Sequence, residues 1–194
     1  MSKISQNKSK GFTIVELLIV IIVIAILAAI SIVAYSAIRQ RADNTAVVDT
    51  AAKIVRAVGA YIASNEKYPI VSNGTMCVTT LTGCRNAASS IASNSTFDAA
   101  IDIVAVLPRS VPKSGSDRYG IIYYQSSGML HEGSPAPAHL EYYLQGLNQQ
   151  CGLGNVKTNL DTNSVTSTTG YTEGDTGGGK TRCKIYIPGP QTYN

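Results

Sequence analysis

An uncharged run from Leu17 to Ile38 constrains this chain more than any other feature. Its 22 residues include no Gly and no Pro, and the only polar groups are Ser31, Ser36 and the Tyr35 hydroxyl. Coiled as an α-helix the run would be about 33 Å long, enough to cross a hydrocarbon core of about 30 Å. Lys3, Lys8 and Lys10 precede it, and Arg39 and Arg41 follow. The leading lysines point to a cytoplasmic N-terminus, with the remainder of the chain outside.

A secretory signal peptide also begins with a basic stretch followed by an apolar one. Two features argue against it here. The run exceeds the usual core of roughly 7 to 15 residues, and a carboxylate, Glu16, stands at its start. A charge at the edge of an apolar span is costly in lipid and marks a functional position. The span is therefore expected to stay in the mature protein.

The segment Gly11-Phe12-Thr13-Ile14-Val15-Glu16-Leu17-Leu18, with a Lys-rich leader before it and the apolar run after it, resembles the N-terminal signature of type IV prepilins and type II secretion pseudopilins. The resemblance is specific over about residues 11 to 40 and architectural beyond them. It implies a prepilin peptidase that cuts after Gly11 and methylates the new amino terminus at Phe12. It also implies a filament built with further copies and other pilins on an inner-membrane assembly platform. Glu16 would act in subunit assembly, its carboxylate pairing with the Phe12 amine of a neighbour. Many relatives carry a Gly and a Pro inside the span, whereas Ala25 and Val33 occupy that region here. The helix therefore reads as unbroken.

Beyond the span, Val47, Ala51, Ile54, Val58 and Tyr61 recur at the spacing of one helical face, and Asp43, Asp49, Lys53 and Arg56 occupy the opposite face. One helix is expected from Phe12 to about Asn65, stopped by Tyr68-Pro69. A short helix over Thr96 to Leu107, opened by Ser95 or Thr96 and ended by Pro108, comes next. Strands are expected at Gly120 to Gln125, Leu140 to Leu144 and Lys184 to Ile187. The fold class is α+β, a long helix packed on a small antiparallel sheet in the manner of type IV pilins. Its parts are a leader at 1–11, the transmembrane half of the helix at 12–38, the amphipathic half at 39–65 and an extracytoplasmic domain at 66–194.

Cys77, Cys84, Cys151 and Cys183 all follow the span, where an oxidising space favours disulfides. Four cysteines allow three connectivities. Near-neighbour pairing, Cys77 with Cys84 and Cys151 with Cys183, is favoured because the second bridge would close the Gly-, Thr- and Ser-rich segment from Gly152 to Arg182. Zinc has no C-x2-C spacing to use and only His131 and His139 to assist, so no metal site is expected.

Gly174 to Thr181 matches the letters of a nucleotide-binding P-loop. That chemistry needs a strand before the loop and a helix after it. Here a Thr-rich stretch precedes the match, and Ile185-Tyr186-Ile187-Pro188 follows it. No cofactor, catalytic residue or enzymatic activity is expected, since Glu132, Glu141 and the two histidines show no nucleophile partner. Asn73 and Asn94 begin glycosylation-type triplets, a pattern that carries little by itself. From Arg39 onward basic residues exceed acidic ones by only two, so charge gives no support for nucleic-acid binding.

The expected function is a structural subunit of a type IV pilus-like surface filament, a single-pass membrane protein before assembly and extracellular afterwards. A pseudopilin of a secretion system and a membrane-anchored extracellular binding protein are the alternatives.

Overall fold

Ile, Val, Leu and Ala fill the first half of the long helix, and Ala recurs through the second, so propensity and pattern agree over its length. In a computed structural model, helix α1 runs from Ile14 to Asn65. The structure describes residues 11–70, 74–79, 83–86, 89–112, 118–126, 130–131, 134–135, 137–153, 156–157, 171–172 and 179–190. The chain divides between Gln40 and Arg41 into two compact units.

In the first unit every described residue up to Arg39 is exposed. Ile14 is 84% exposed and Val33 70%, so this half of α1 is apolar on all sides and has no protein around it. Its most apolar 18-residue window reaches a mean hydropathy of 3.4, long and apolar enough to cross a membrane. Ser31 and Ser36 return their hydroxyl hydrogens to the Leu27 and Val33 carbonyls, at 2.7 and 2.8 Å. The two serine hydroxyls are thereby satisfied within the helix.

In the second unit α1 becomes amphipathic. Val47, Ala51, Ile54, Ala57, Val58, Tyr61 and Ile62 are buried, while Asp49 and Lys53 pair across one exposed turn at 2.6 Å. The helix stops where Glu66 turns into the left-handed region at φ 54°, ahead of Pro69. The remaining elements are β1 (Gly74–Cys77), β2 (Cys84–Arg85), β3 (Ser90–Ile91), α2 (Ser95–Asp102), β4 (Ile121–Gln125), β5 (Leu130–His131), β6 (Ser134–Pro135), β7 (Ala138–Gln145), β8 (Val156–Lys157), β9 (Tyr171–Thr172) and β10 (Lys180–Tyr186).

The main sheet is antiparallel in the order β1-β4-β7-β10-β8, with β9 also paired to β10. Its register sorts side chains by face, because successive residues of a strand point to opposite sides. Met76, Ile121, Tyr123, Leu140, Tyr142, Leu144, Cys183 and Ile185 lie on the α1 side and form one core with the helix and with Phe97 and Ile101 of α2. On the reverse face Cys77, Ile122 and Tyr143 make a smaller cluster with Cys84 and Ile91 of the β2–β3 hairpin.

Two expectations need correction. The short helix ends at Asp102 rather than Leu107, and it is capped by Asn94, whose side-chain oxygen accepts from the Thr96 and Phe97 amides at 2.9 and 3.0 Å. Val104 and Ala105 both donate to the Ile101 carbonyl, which tightens and closes the last turn. Leu107 is still buried, but from the connection after the helix. Secondly, β1 was not expected. Its Gly-Thr-Met-Cys sequence has weak strand character, and pairing with Ile122 to Gln125 supplies what propensity does not.

Candidate functional site

Gly11, Phe12 and Thr13 precede the helix outside any regular element, and all three are exposed. Phe12 is 84% exposed, so the Gly11–Phe12 bond lies open at the start of the apolar span. Residues 1–10, which hold the three lysines of the leader, lie outside the described residues.

Thr13 and Glu16 tie the first turn together reciprocally. The Thr13 amide and hydroxyl donate to Glu16 Oε2 at 2.8 and 2.7 Å, and the Glu16 amide donates to Thr13 Oγ1 at 3.2 Å. This is the capping box of a Thr-x-x-Glu start, in which each side chain satisfies a backbone donor that the helix leaves over. Both bonds to the carboxylate fall on Oε2. Oε1 has no partner among the described residues. The expectation for Glu16 had not included Thr13, although the spacing was readable as a cap signal before an apolar run.

Residues 6–32 match the prokaryotic N-terminal methylation motif. The chain carries the type IV pilin and pseudopilin signature. No curated protein and no solved structure matches the chain significantly. The pilin-type motif indicates a structural protein and a membrane-anchored precursor, and implies assembly with other pilins and processing by a prepilin peptidase. With the long α1 and the antiparallel sheet, the α+β architecture agrees with a pilin-like fold.

The domain that follows the apolar half of α1 is stapled at two places. Cys77 joins Cys84, which fastens the β2–β3 hairpin to the end of β1, and Cys151 joins Cys183, which ties the chain after β7 to the middle of β10. Much of the segment between the latter pair, including 158–170 and 173–178, lies outside the described residues. The α1 helix is also clamped to the sheet. Asn44 donates to the Gln145 carbonyl at 3.0 Å and accepts from the Gln145 amide at 2.7 Å, so its amide completes the end of β7 as a neighbouring strand would. No expectation singled out Asn44, since its partner lies 101 residues away.

On the reverse face of the sheet Glu141 is buried, takes a hydrogen bond from the Tyr143 hydroxyl and lies 3.9 Å from Arg182. Burial, and secondarily the Glu141 charge, push the Tyr143 hydroxyl well above its ordinary pKa. His139 stacks on Tyr124 with ring centroids 4.6 Å apart and nearly parallel planes. Among the described residues no three His, Cys, Asp or Glu side chains gather as a metal would need. The side chains of His131 and Glu132 lie outside the described residues, as do Asn73 and 174–178 of the P-loop-like stretch. Lys180 and Thr181 of that stretch begin β10, so a strand follows it where a phosphate site needs a helix.

Proposed function

We propose that this protein is a structural subunit that polymerises through α1 into a type IV pilus-like surface filament, after a prepilin peptidase removes residues 1–11 and methylates Phe12. The observation that carries the reading is the Glu16 carboxylate, one oxygen of which has no partner among the described residues, at the head of a helix half that is apolar all round. Lipid covers such a helix in the precursor, and like helices would cover it in a filament core. Van der Waals packing drives the association of such helices. A charge pair adds one strongly preferred axial position.

Cleavage before Phe12 would create a cationic amine four residues from Glu16. Thr13 holds Oε2 and leaves Oε1 for the amine of a second copy. Sliding one helix by a turn moves the partners apart by about 5.4 Å, which strands both charges. The carboxylate thereby sets register, and Thr13 sets the carboxylate. Cytoplasmic placement of the N-terminus and an extracytoplasmic domain complete the topology this mechanism requires.

Glu16→Ala tests it. The variant should reach the membrane and be processed as wild type is, because a charge has left the apolar span. Filament yield at matched membrane levels should fall at least tenfold. Equal yields would make the carboxylate incidental and favour a membrane-anchored protein that does not polymerise.

A further inference from the structure

Outside α1, the large apolar side chains most open to solvent among the described residues are Ile103, at 80%, and Val106, at 94%. Both lie on the connection that leaves α2, and neither contributes to the core. Their setting is fixed. Phe97 of α2 packs on Tyr123 of β4 with ring centroids 4.8 Å apart, and Arg109 ties the end of the connection to Asp98 at 2.6 Å and to the Val78 carbonyl at 3.2 Å. Two branched side chains are therefore held out on a braced segment at the β1 side of the sheet.

On the other side, α1 and β10 enclose a groove of about 280 Å³ lined by Ala52, Val55, Leu153, Ile185 and Pro188. Arg56 stands at it, with no ion-pair or hydrogen-bond partner among the described residues. Asp102 immediately precedes Ile103. Its side chain is 56% exposed and only 3.5 Å from Arg109, whose closer bond goes to Asp98. An apolar projection flanked by an underused carboxylate thus has a counterpart in an apolar groove flanked by a guanidinium without a partner among the described residues.

We propose that Ile103 and Val106 of one copy dock in the α1–β10 groove of a second copy, with Asp102 facing Arg56. β4 and β7 separate the two surfaces in the sheet order, so they are different patches on different flanks. A contact between unlike patches is heterologous, and it propagates as an open helical array unless its rotation closes a ring. A small contact suffices, because packing of α1 already holds the copies at high effective concentration. The inference rests on the filament reading and gives it a second, domain-level contact.

The test uses the full-length chain in producing cells, with a benzophenone-bearing residue in place of Val106, a position too exposed for the probe to disturb the fold. Irradiation should give a dimer whose linked peptide contains Val55 or Leu153. Arg56→Asp should lower that product at least fivefold, and adding Asp102→Arg should restore it. A link elsewhere on the chain, or monomer alone, overturns the docking. Filaments without the groove-linked dimer would overturn the docking and leave the filament reading standing. A groove-linked dimer in membranes of cells that make no filaments would support the docking and contradict the filament reading.

Discussion

Gly120 lies between a strand and a disulfide. Its φ is 83°, in the left-handed region, and a Cβ there would sit 2.4 Å from Cys84 Sγ and 2.9 Å from Cys84 Cβ. Gly179 is also left-handed, at φ 50°, yet a Cβ would meet no atom of the described residues within 4 Å. The two glycines separate backbone strain from contact. Gly179→Ala should cost about 1 kcal/mol, the usual penalty of that region. Gly120→Ala should cost about 2 to 4 kcal/mol, since the disulfide must also shift, and should lower Tm by roughly 5 to 15 °C. Thermal unfolding of both variants checks this, and equal losses would mean that the sulfur can move aside freely. Thr13 shows the same economy of position, because one hydroxyl both caps the helix and holds the Glu16 carboxylate.

Strand β7 is buried along nearly its whole length, and its two tyrosines lie on opposite faces of the sheet. The Tyr142 hydroxyl donates to the Cys151 carbonyl and the Tyr143 hydroxyl to Glu141. Burial raises the pKa of both above the ordinary value near 10. The sign follows from proton counting. Above about pH 10 the unfolded chain loses these protons while the folded one keeps them, so stability is complete below that pH and falls as pH rises. Their contribution to Tm should be flat from neutrality to about pH 9.5 and fall beyond it, and the tyrosinate absorbance of these two residues, read as the difference from the Tyr142→Phe and Tyr143→Phe variants, should appear only as the domain unfolds. Tyrosinate absorbance from both residues in the folded domain at pH 10.5 would contradict it. The elements themselves were unequally legible. The span, the register of α1 and the strands around Tyr123, Tyr142 and Ile185 follow from periodicity and β-branched or aromatic runs. β1 and the early end of α2 do not, because tertiary pairing decides one and an Asn cap with a tightened last turn decides the other. The Thr13–Glu16 cap was readable by its spacing, whereas the Asn44–Gln145 clamp joins residues that only the folded domain brings together.

The molecule combines a helix half that needs lipid or other helices around it with a domain that has its own core and two disulfides. In the chain-entropy account the bridges contribute roughly 2.5 kcal/mol for the short ring and roughly 3.5 to 4 for the long one. The helix half is where the biological reading is decided. If that half becomes a filament core, the leader must be gone and the new terminus must be the one facing Glu16. Intact-mass and N-terminal peptide analysis of protein sheared from the cell surface as filaments tests this most directly. The account predicts this chain in the filament fraction, beginning at N-methylated Phe12 with α1 retained. A surface-released chain beginning near Ala29 or Ala37, with the span removed, would contradict it.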